Sequence, residues 1–133
     1  MRRTLVVNGN LQVGRNFTLD SSSMYFGSYA FKVLADYISK GKVGINEIIW
    51  SIMFAYTSRT DNAKFLRERF SDDKSVLEAA GYLAKAANVY GRIIELVGDG
   101  VSPEDEKEII SLLKEASVYE RRAGILMIEA GSQ

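Results

Sequence analysis

Residues 76–97 read VLEAAGYLAKAANVYGRIIELV, and residues 109–130 read IISLLKEASVYERRAGILMIEA. In the first stretch Val76, Ala80, Leu83, Ala87, Tyr90, Ile94 and Val97 advance by steps of four and three. In the second, Ile109, Leu112, Ala116, Tyr119, Ala123, Leu126 and Ala130 advance by steps of three and four. An apolar repeat of seven residues marks a helix that lays one narrow face on another helix. Only Gly98, Asp99, Gly100 and Val101 stand between the two runs and the cap of the second. The reading is a long antiparallel helical hairpin over residues 73–130. Its seams are rich in alanine, so the two helices can approach closely but bury modest area between themselves. Other helices must complete the core.

The flanks carry matching start signals. Ser71, Asp72 and Asp73 can cap the first long helix. Ser102, Pro103, Glu104 and Asp105 open the second with a cap, a first-turn proline and acids at the positive end of the helix dipole. Upstream, residues 21–70 divide into three shorter helices. Ser21, Ser22 and Ser23 offer an N-cap and Gly41 a stop for the first, which carries Tyr25, Phe26, Tyr29, Phe31, Val33, Leu34, Tyr37 and Ile38. Asn46 caps the second, with Ile45 and Trp50 at the positions of a hydrophobic staple. Its body, Ile48 to Tyr56, is apolar nearly all round and is expected to be the most buried element. Thr60 or Asp61 starts the third, which holds Phe65, Leu66 and Phe70.

Residues 1–20 read differently. Leu5-Val6-Val7 and Leu11-Gln12-Val13 flank Asn8-Gly9, a pair suited to a tight hairpin turn, and Phe17-Thr18-Leu19 is a further extended piece. A lone hairpin is marginal in water, so this arm must pack on the helices, pair with a partner or move. The expected fold is all-α: one domain over 1–133, a bundle of about five helices with the long C-terminal hairpin and a short N-terminal β-hairpin or extended arm.

Composition narrows the chemistry. The 133 residues include no cysteine and no histidine. Thiol chemistry, Cys-type metal sites, disulfides and Ser-His catalysis are therefore excluded. An enzyme would have to use carboxylates, tyrosine or lysine, and only the availability of those residues favours one. The expectation is a non-enzyme with no metal and no cofactor. No apolar run reaches the length of a membrane span and no signal peptide is evident, so a cytoplasmic location without membrane partners is expected. Net charge is zero, but residues 1–42 carry six Lys/Arg against two Asp/Glu, and residues 43–133 carry eleven against fifteen. A +4 front and a −4 rear suit head-to-tail self-association or a basic patch for an acidic partner.

Two further motifs read as ordinary structure. Gly9 to Gly14 lacks the Lys-Ser/Thr and the following helix of a phosphate-binding loop. Asp99-Gly100 before Glu104, Asp105 and Glu106 lacks the alternating oxygen ligands of a calcium loop. The basic residues carry more. Lys85 and Arg92 recur at seven residues on one long helix, as do Lys107, Lys114 and Arg121 on the other. Arg122 follows Arg121, whose close acidic neighbour is Glu120, and Arg59, Lys64, Arg67 and Arg69 cluster earlier. Such rows can track a phosphate backbone, although Glu108 and Glu115 interleave with the second row as ordinary ion-pair partners. Tyr82, Tyr90 and Tyr119 lie on or beside the seams, where aromatics are either core or platforms for a base. Ala123-Gly124 offers a place for close backbone approach. The candidate nucleic-acid contacts are Arg121, Arg122, Lys85, Arg92, Lys114, Arg59, Lys64 and Arg67.

The run Tyr119-Glu120-Arg121-Arg122-Ala123-Gly124-Ile125-Leu126, closing the helix that opens at Ser102-Pro103-Glu104-Asp105, resembles the C-terminal helix of the small subunit of type I-A CRISPR effector complexes. A Tyr-x-Arg-(Lys/Arg)-Ala-Gly-x-Leu run ends a similar helix there. Phe54-Ala55-Tyr56-Thr57-Ser58 and Phe70 to Leu77 resemble that family's earlier helices, so the likeness covers about 54–128. Members carry a β-rich insertion where this chain has Gly98 to Val101. The resemblance implies a non-catalytic subunit of an RNA-guided antiviral DNA surveillance complex. It implies contacts with neighbouring subunits and with guide RNA or single-stranded DNA. Arg121 and Arg122 match the motif directly. The alternative is a structural protein of a virion or filament that self-associates through the arm and the seams.

Overall fold

The computed structural model describes residues 17–19, 22–24, 27–98 and 100–131, with side chains from Phe31 onward. The predicted hairpin around Asn8-Gly9 lies outside the described residues. Two short strands, β1 (Phe17–Leu19) and β2 (Ser22–Met24), pair antiparallel with Phe17 opposite Met24. Four helices follow: α1 (Gly27–Ser39), α2 (Ile45–Arg69), α3 (Lys74–Val97) and α4 (Pro103–Gly131). No helix among the described residues is long and apolar enough to cross a membrane.

Helix ends follow local chemistry. Ser22 and Ser23 pair with Leu19 and Thr18 in the strands rather than capping a helix, and α1 starts at Gly27. Gly41 takes φ +69° and stops α1, with Gly41 N–H donating to the Ile38 carbonyl and Lys42 N–H to that of Tyr37. That is the paired bonding of a Schellman stop, for which glycine is preferred at the left-handed position. Asp73 accepts from Val76 N–H at 3.2 Å and caps α3. Ser102 and Asp105 exchange side-chain to backbone bonds at 3.1 Å each, a reciprocal capping box with Pro103 in the first turn of α4.

Three expectations for residues 45–70 are corrected. First, α2 is one helix of 25 residues, with no break at Thr60 or Asp61. The hydroxyls of Thr57 and Thr60 donate to the Met53 and Tyr56 carbonyls one turn back, so they are engaged inside the helix. No glycine or proline interrupts the stretch. The described residues thus hold four helices where the sequence reading counts about five. Second, the cap is the extended backbone of Gly44, and Asn46 lies inside the first turn. Third, α2 is not the most buried element. Trp50 is 76% exposed and Phe54 73%, so Trp50 forms no staple with Ile45. Only the stripe of Ile45, Ile48, Ile52, Ala55, Ala63 and Leu66 is buried.

α3 and α4 form the expected long hairpin. α2 packs on α3, and α1 packs on α4. Because α3 touches both α2 and α4, its buried face is wider than the seam and adds Ala79, Ala86, Val89 and Ile93, while Ile94 and Val97 are half-buried. Gly91 allows the Tyr56 ring of α2 to lie against it, where a Cβ would stand 3.2 Å from Tyr56 Cε2. On α4 the buried register runs Ile109, Leu113, Ala116, Glu120, Ala123, Met127, Ala130. Leu112, Tyr119 and Leu126 are half-buried along its edge. Centring the stripe between α3 and α1 shifts it by one residue at alternate steps and brings a glutamate inside. Gly124 is also buried.

The core has two parts. One joins all four helices and includes Phe31, Ile38, Ile52, Tyr90, Ile93, Ile109 and Leu113. The other joins α2, α3 and α4 alone, around Leu66, Val76, Leu83 and Met127 with Ala63, Ala79, Ala80, Ala123 and Ala130. On α2 Arg59 falls between Ala55 of the first part and Ala63 of the second. On α4 Glu120 falls between Ala116 and Ala123. A polar layer therefore crosses the bundle where the two parts meet.

Candidate nucleic-acid interface

Helix periodicity decides where each candidate cation goes. Tyr82 and Lys85 sit three residues apart on α3, and Tyr119 and Arg122 three apart on α4, so each pair shares a helix edge. The α3–α4 hairpin brings the two edges together. The Tyr82 and Tyr119 rings stack with centroids 6.3 Å apart and planes at 27°. Lys85 Nζ lies 5.3 Å from the Tyr82 centroid and 5.8 Å from that of Tyr119. The Arg122 guanidinium lies 5.8 Å from the Tyr82 centroid, and its Nη1 donates to the Tyr82 hydroxyl at 3.2 Å. The Tyr119 hydroxyl donates to Glu115 Oε1 at 3.0 Å, and that bond holds its pKa above the ordinary tyrosine range. Both tyrosines are half-buried, while Lys85 and Arg122 are exposed. Each cation–ring contact at such a site contributes about 0.5–1 kcal/mol.

The arrangement is a ledge of two aromatic rings under two cations. Stacking serves any base, and the cations suit the adjoining phosphates. The surroundings are mixed in charge. Beside the ledge a shallow groove of about 210 Å³ is lined by Glu78, Tyr82, Arg122, Ile125, Leu126 and Glu129. About two turns along α3 from Lys85, Arg92 is held by Glu95 and by Glu108, at 3.5 Å each. The exposed edge of the hairpin is thus an alternation of signs with one cation–tyrosine cluster in it, not a continuous basic track.

The other candidate residues are dispersed. Arg121 is exposed but points about 100° round the helix from Arg122, on the side it shares with Lys114 seven residues earlier. Lys64 is within 4.0 Å of Glu68 on the surface of α2, and Arg67 is exposed near the end of that helix. Of the eight candidates, Lys85 and Arg122 alone come together on the tyrosine ledge.

Arg59 is turned inward. Its Nε donates to Glu120 Oε1, and its Nη1 donates to Ser58 Oγ at 2.9 Å. Glu120 is fully buried, and the Arg59 side chain is 16% exposed. Burial acts to lower the guanidinium pKa, but the adjacent carboxylate outweighs it and the pKa is raised, so Arg59 stays charged. Tyr90 joins the layer from α3. Burial first, and then the Glu120 charge, hold its hydroxyl well above the usual range. Among the described residues neither the Tyr90 hydroxyl nor Glu120 Oε2 has a partner at full hydrogen-bond geometry, but the hydroxyl lies close enough to Glu120 for hydrogen bonding to it to add to the rise in the Tyr90 pKa. Sequence reading placed Glu120 beside Arg121 and Arg122. The signal for its true place was that it completes the shifted heptad of α4, just as Arg59 falls in the buried stripe of α2.

No group of three or more His, Cys, Asp or Glu side chains able to hold a metal ion occurs among the described residues. In comparisons with known proteins, no family model, curated protein or solved structure matches this chain.

Proposed function

We propose that this chain is a non-catalytic helical subunit that contacts single-stranded nucleic acid at the Tyr82–Lys85–Tyr119–Arg122 ledge while held among other subunits of a larger assembly. The observation that carries the reading is the ledge itself: two stacked tyrosines with two exposed cations over their rings. The lack of any histidine or cysteine supports a binding role over catalysis. The assembly in view is an RNA-guided antiviral DNA surveillance complex, with guide RNA or single-stranded DNA as the nucleic acid. That part rests on the resemblance of residues 54–128.

Two cations neutralising two phosphates set a modest scale. On single strands the salt slope is about 0.7 per phosphate, so the ledge supplies a slope of about 1.4. Such binding is weak for one subunit and gains from neighbours that hold the strand in place. The test is a titration of a labelled single-stranded oligonucleotide against the chain at several salt concentrations. Binding with that shallow slope, abolished in Lys85→Glu/Arg122→Glu, is the expected result. No binding at low salt, or equal binding by the double variant, would overturn the reading.

A further inference from the structure

We propose that the groove beside the tyrosine ledge gives the bound strand a preferred base, guanine, whose N1–H and N2–H both donate to the Glu78 carboxylate. The inference rests on the reading of the ledge as a single-strand contact. The groove shares Tyr82 and Arg122 with the ledge and is otherwise lined by Glu78, Ile125, Leu126 and Glu129. Glu78 stands four residues before Tyr82 on α3, one turn back on the same face. Ile125 and Leu126 stand three and four residues after Arg122 on α4, again one turn away. The groove therefore continues the ledge toward the start of α3 and the end of α4. A base that lies beside Tyr82 in that direction lies in the groove.

Size and chemistry narrow the occupant. At about 210 Å³ the groove is smaller than the ~300–1,000 Å³ of pockets that enclose a drug-sized ligand. It suits one flat ring system with an open side. Ile125 and Leu126 supply an apolar wall for the ring. An ionised carboxylate only accepts hydrogen bonds. Among the described residues neither Glu78 nor Glu129 has an ion-pair partner, so their oxygens are open to a donor. Of the common bases, guanine alone sets two donors side by side on its Watson–Crick edge, matching the two oxygens of one carboxylate. Cytosine and adenine set an amino group beside a ring-nitrogen acceptor. Thymine and uracil set one N–H between two carbonyls. That edge is free to be read on a single strand. Discrimination works in both directions, because the carboxylate that accepts from guanine repels the carbonyls of thymine. At an exposed site a preference of about tenfold follows, in the lower part of the range for a bidentate base contact.

The experiment compares the affinity of the full chain for labelled oligonucleotides of equal length at several salt concentrations. One strand is all thymine, and another carries isolated guanines among thymines. The guanine strand should bind about tenfold tighter. The ratio should hold as salt rises, because a base contact releases no counterions. Hypoxanthine in place of guanine keeps the ring system and N1–H but lacks the N2 amino group, and should lose most of the gain. Glu78→Ala, at an exposed helix position where alanine is favoured, should bring the affinities for the two strands together. Lys85→Glu/Arg122→Glu should abolish binding of both. Binding without a base preference, a preference that survives Glu78→Ala, or equal binding of the hypoxanthine strand would overturn this inference and leave the ledge reading in place. No binding of any strand would overturn both.

Discussion

Arg59 and Arg122 begin as two members of one set of basic residues and end in opposite roles. Arg59 sits inside the bundle against the fully buried Glu120, in the layer that divides the four-helix part of the core from the three-helix part. Arg122 lies on the surface over Tyr82, where it joins Lys85 and Tyr119. The difference comes from register. Arg59 occupies a position on the buried stripe of α2, whereas Arg122 occupies one at the outer edge of α4. A cation in sequence is therefore neither a ligand site nor a structural ion pair until the helix face that carries it is known.

The two regions should respond very differently to mutation. Removing one partner of the buried pair leaves the other charged and unpaired, which costs about 3–5 kcal/mol. Arg59→Ala and Glu120→Ala should each lower stability to denaturant by that amount. Arg59→Met/Glu120→Leu should recover most or all of it, because apolar pairs of similar volume often equal or exceed a buried ion pair. Urea melts of the three variants would show whether the pair carries the cost of a buried ion pair.

Alkaline pH probes the same layer. The folded pKa of Tyr90 is raised, so its neutral form contributes stability that is fully present below the unfolded tyrosine pKa of about 10. That stability falls as pH climbs from there toward the folded value, by at most about 1.4 kcal/mol per pH unit. Melts of the wild type above pH 10 should show this loss, and Tyr90→Phe should remove this residue's share. The smallest effect belongs to the surface. Arg92 is half exposed and bridges Glu95 and Glu108 at 3.5 Å, so Arg92→Ala should change stability by less than about 1 kcal/mol. A larger loss would mean that the exposed edge of the hairpin is more tightly built than its geometry indicates.

The helical hairpin was legible in the sequence because its signals are local: alternating three and four spacing, caps at Asp73 and Ser102, and glycine at the link. The stop at Gly41 was legible for the same reason. The continuity of α2 was not, since Thr60 and Asp61 have the composition of a cap and only the helix carbonyls show where the threonine hydroxyl goes. The burial of α2 was misjudged because a run apolar on all sides does not say which side will find a partner, and Trp50 and Phe54 stay mostly exposed. Glu120 was hidden for the opposite reason. An apolar pattern passes over a charged residue, so the register that placed Tyr119 on the seam looked better than the one that buries Glu120. The ledge itself was half visible: Lys85 and Arg122 were among the candidates, but their meeting over Tyr82 and Tyr119 is a property of the tertiary packing.

The central claim is that the tyrosine ledge, and not the basic residues at large, is where nucleic acid is contacted. The direct measurement compares two double variants for binding to one single-stranded oligonucleotide at fixed low salt. Lys85→Ala/Arg122→Ala removes the cations over the rings, while Lys114→Ala/Arg121→Ala removes the same charge from the neighbouring face of α4. A large loss of affinity in the first with near-wild-type binding in the second is the predicted result; equal losses in both, or a loss confined to the second, would contradict it.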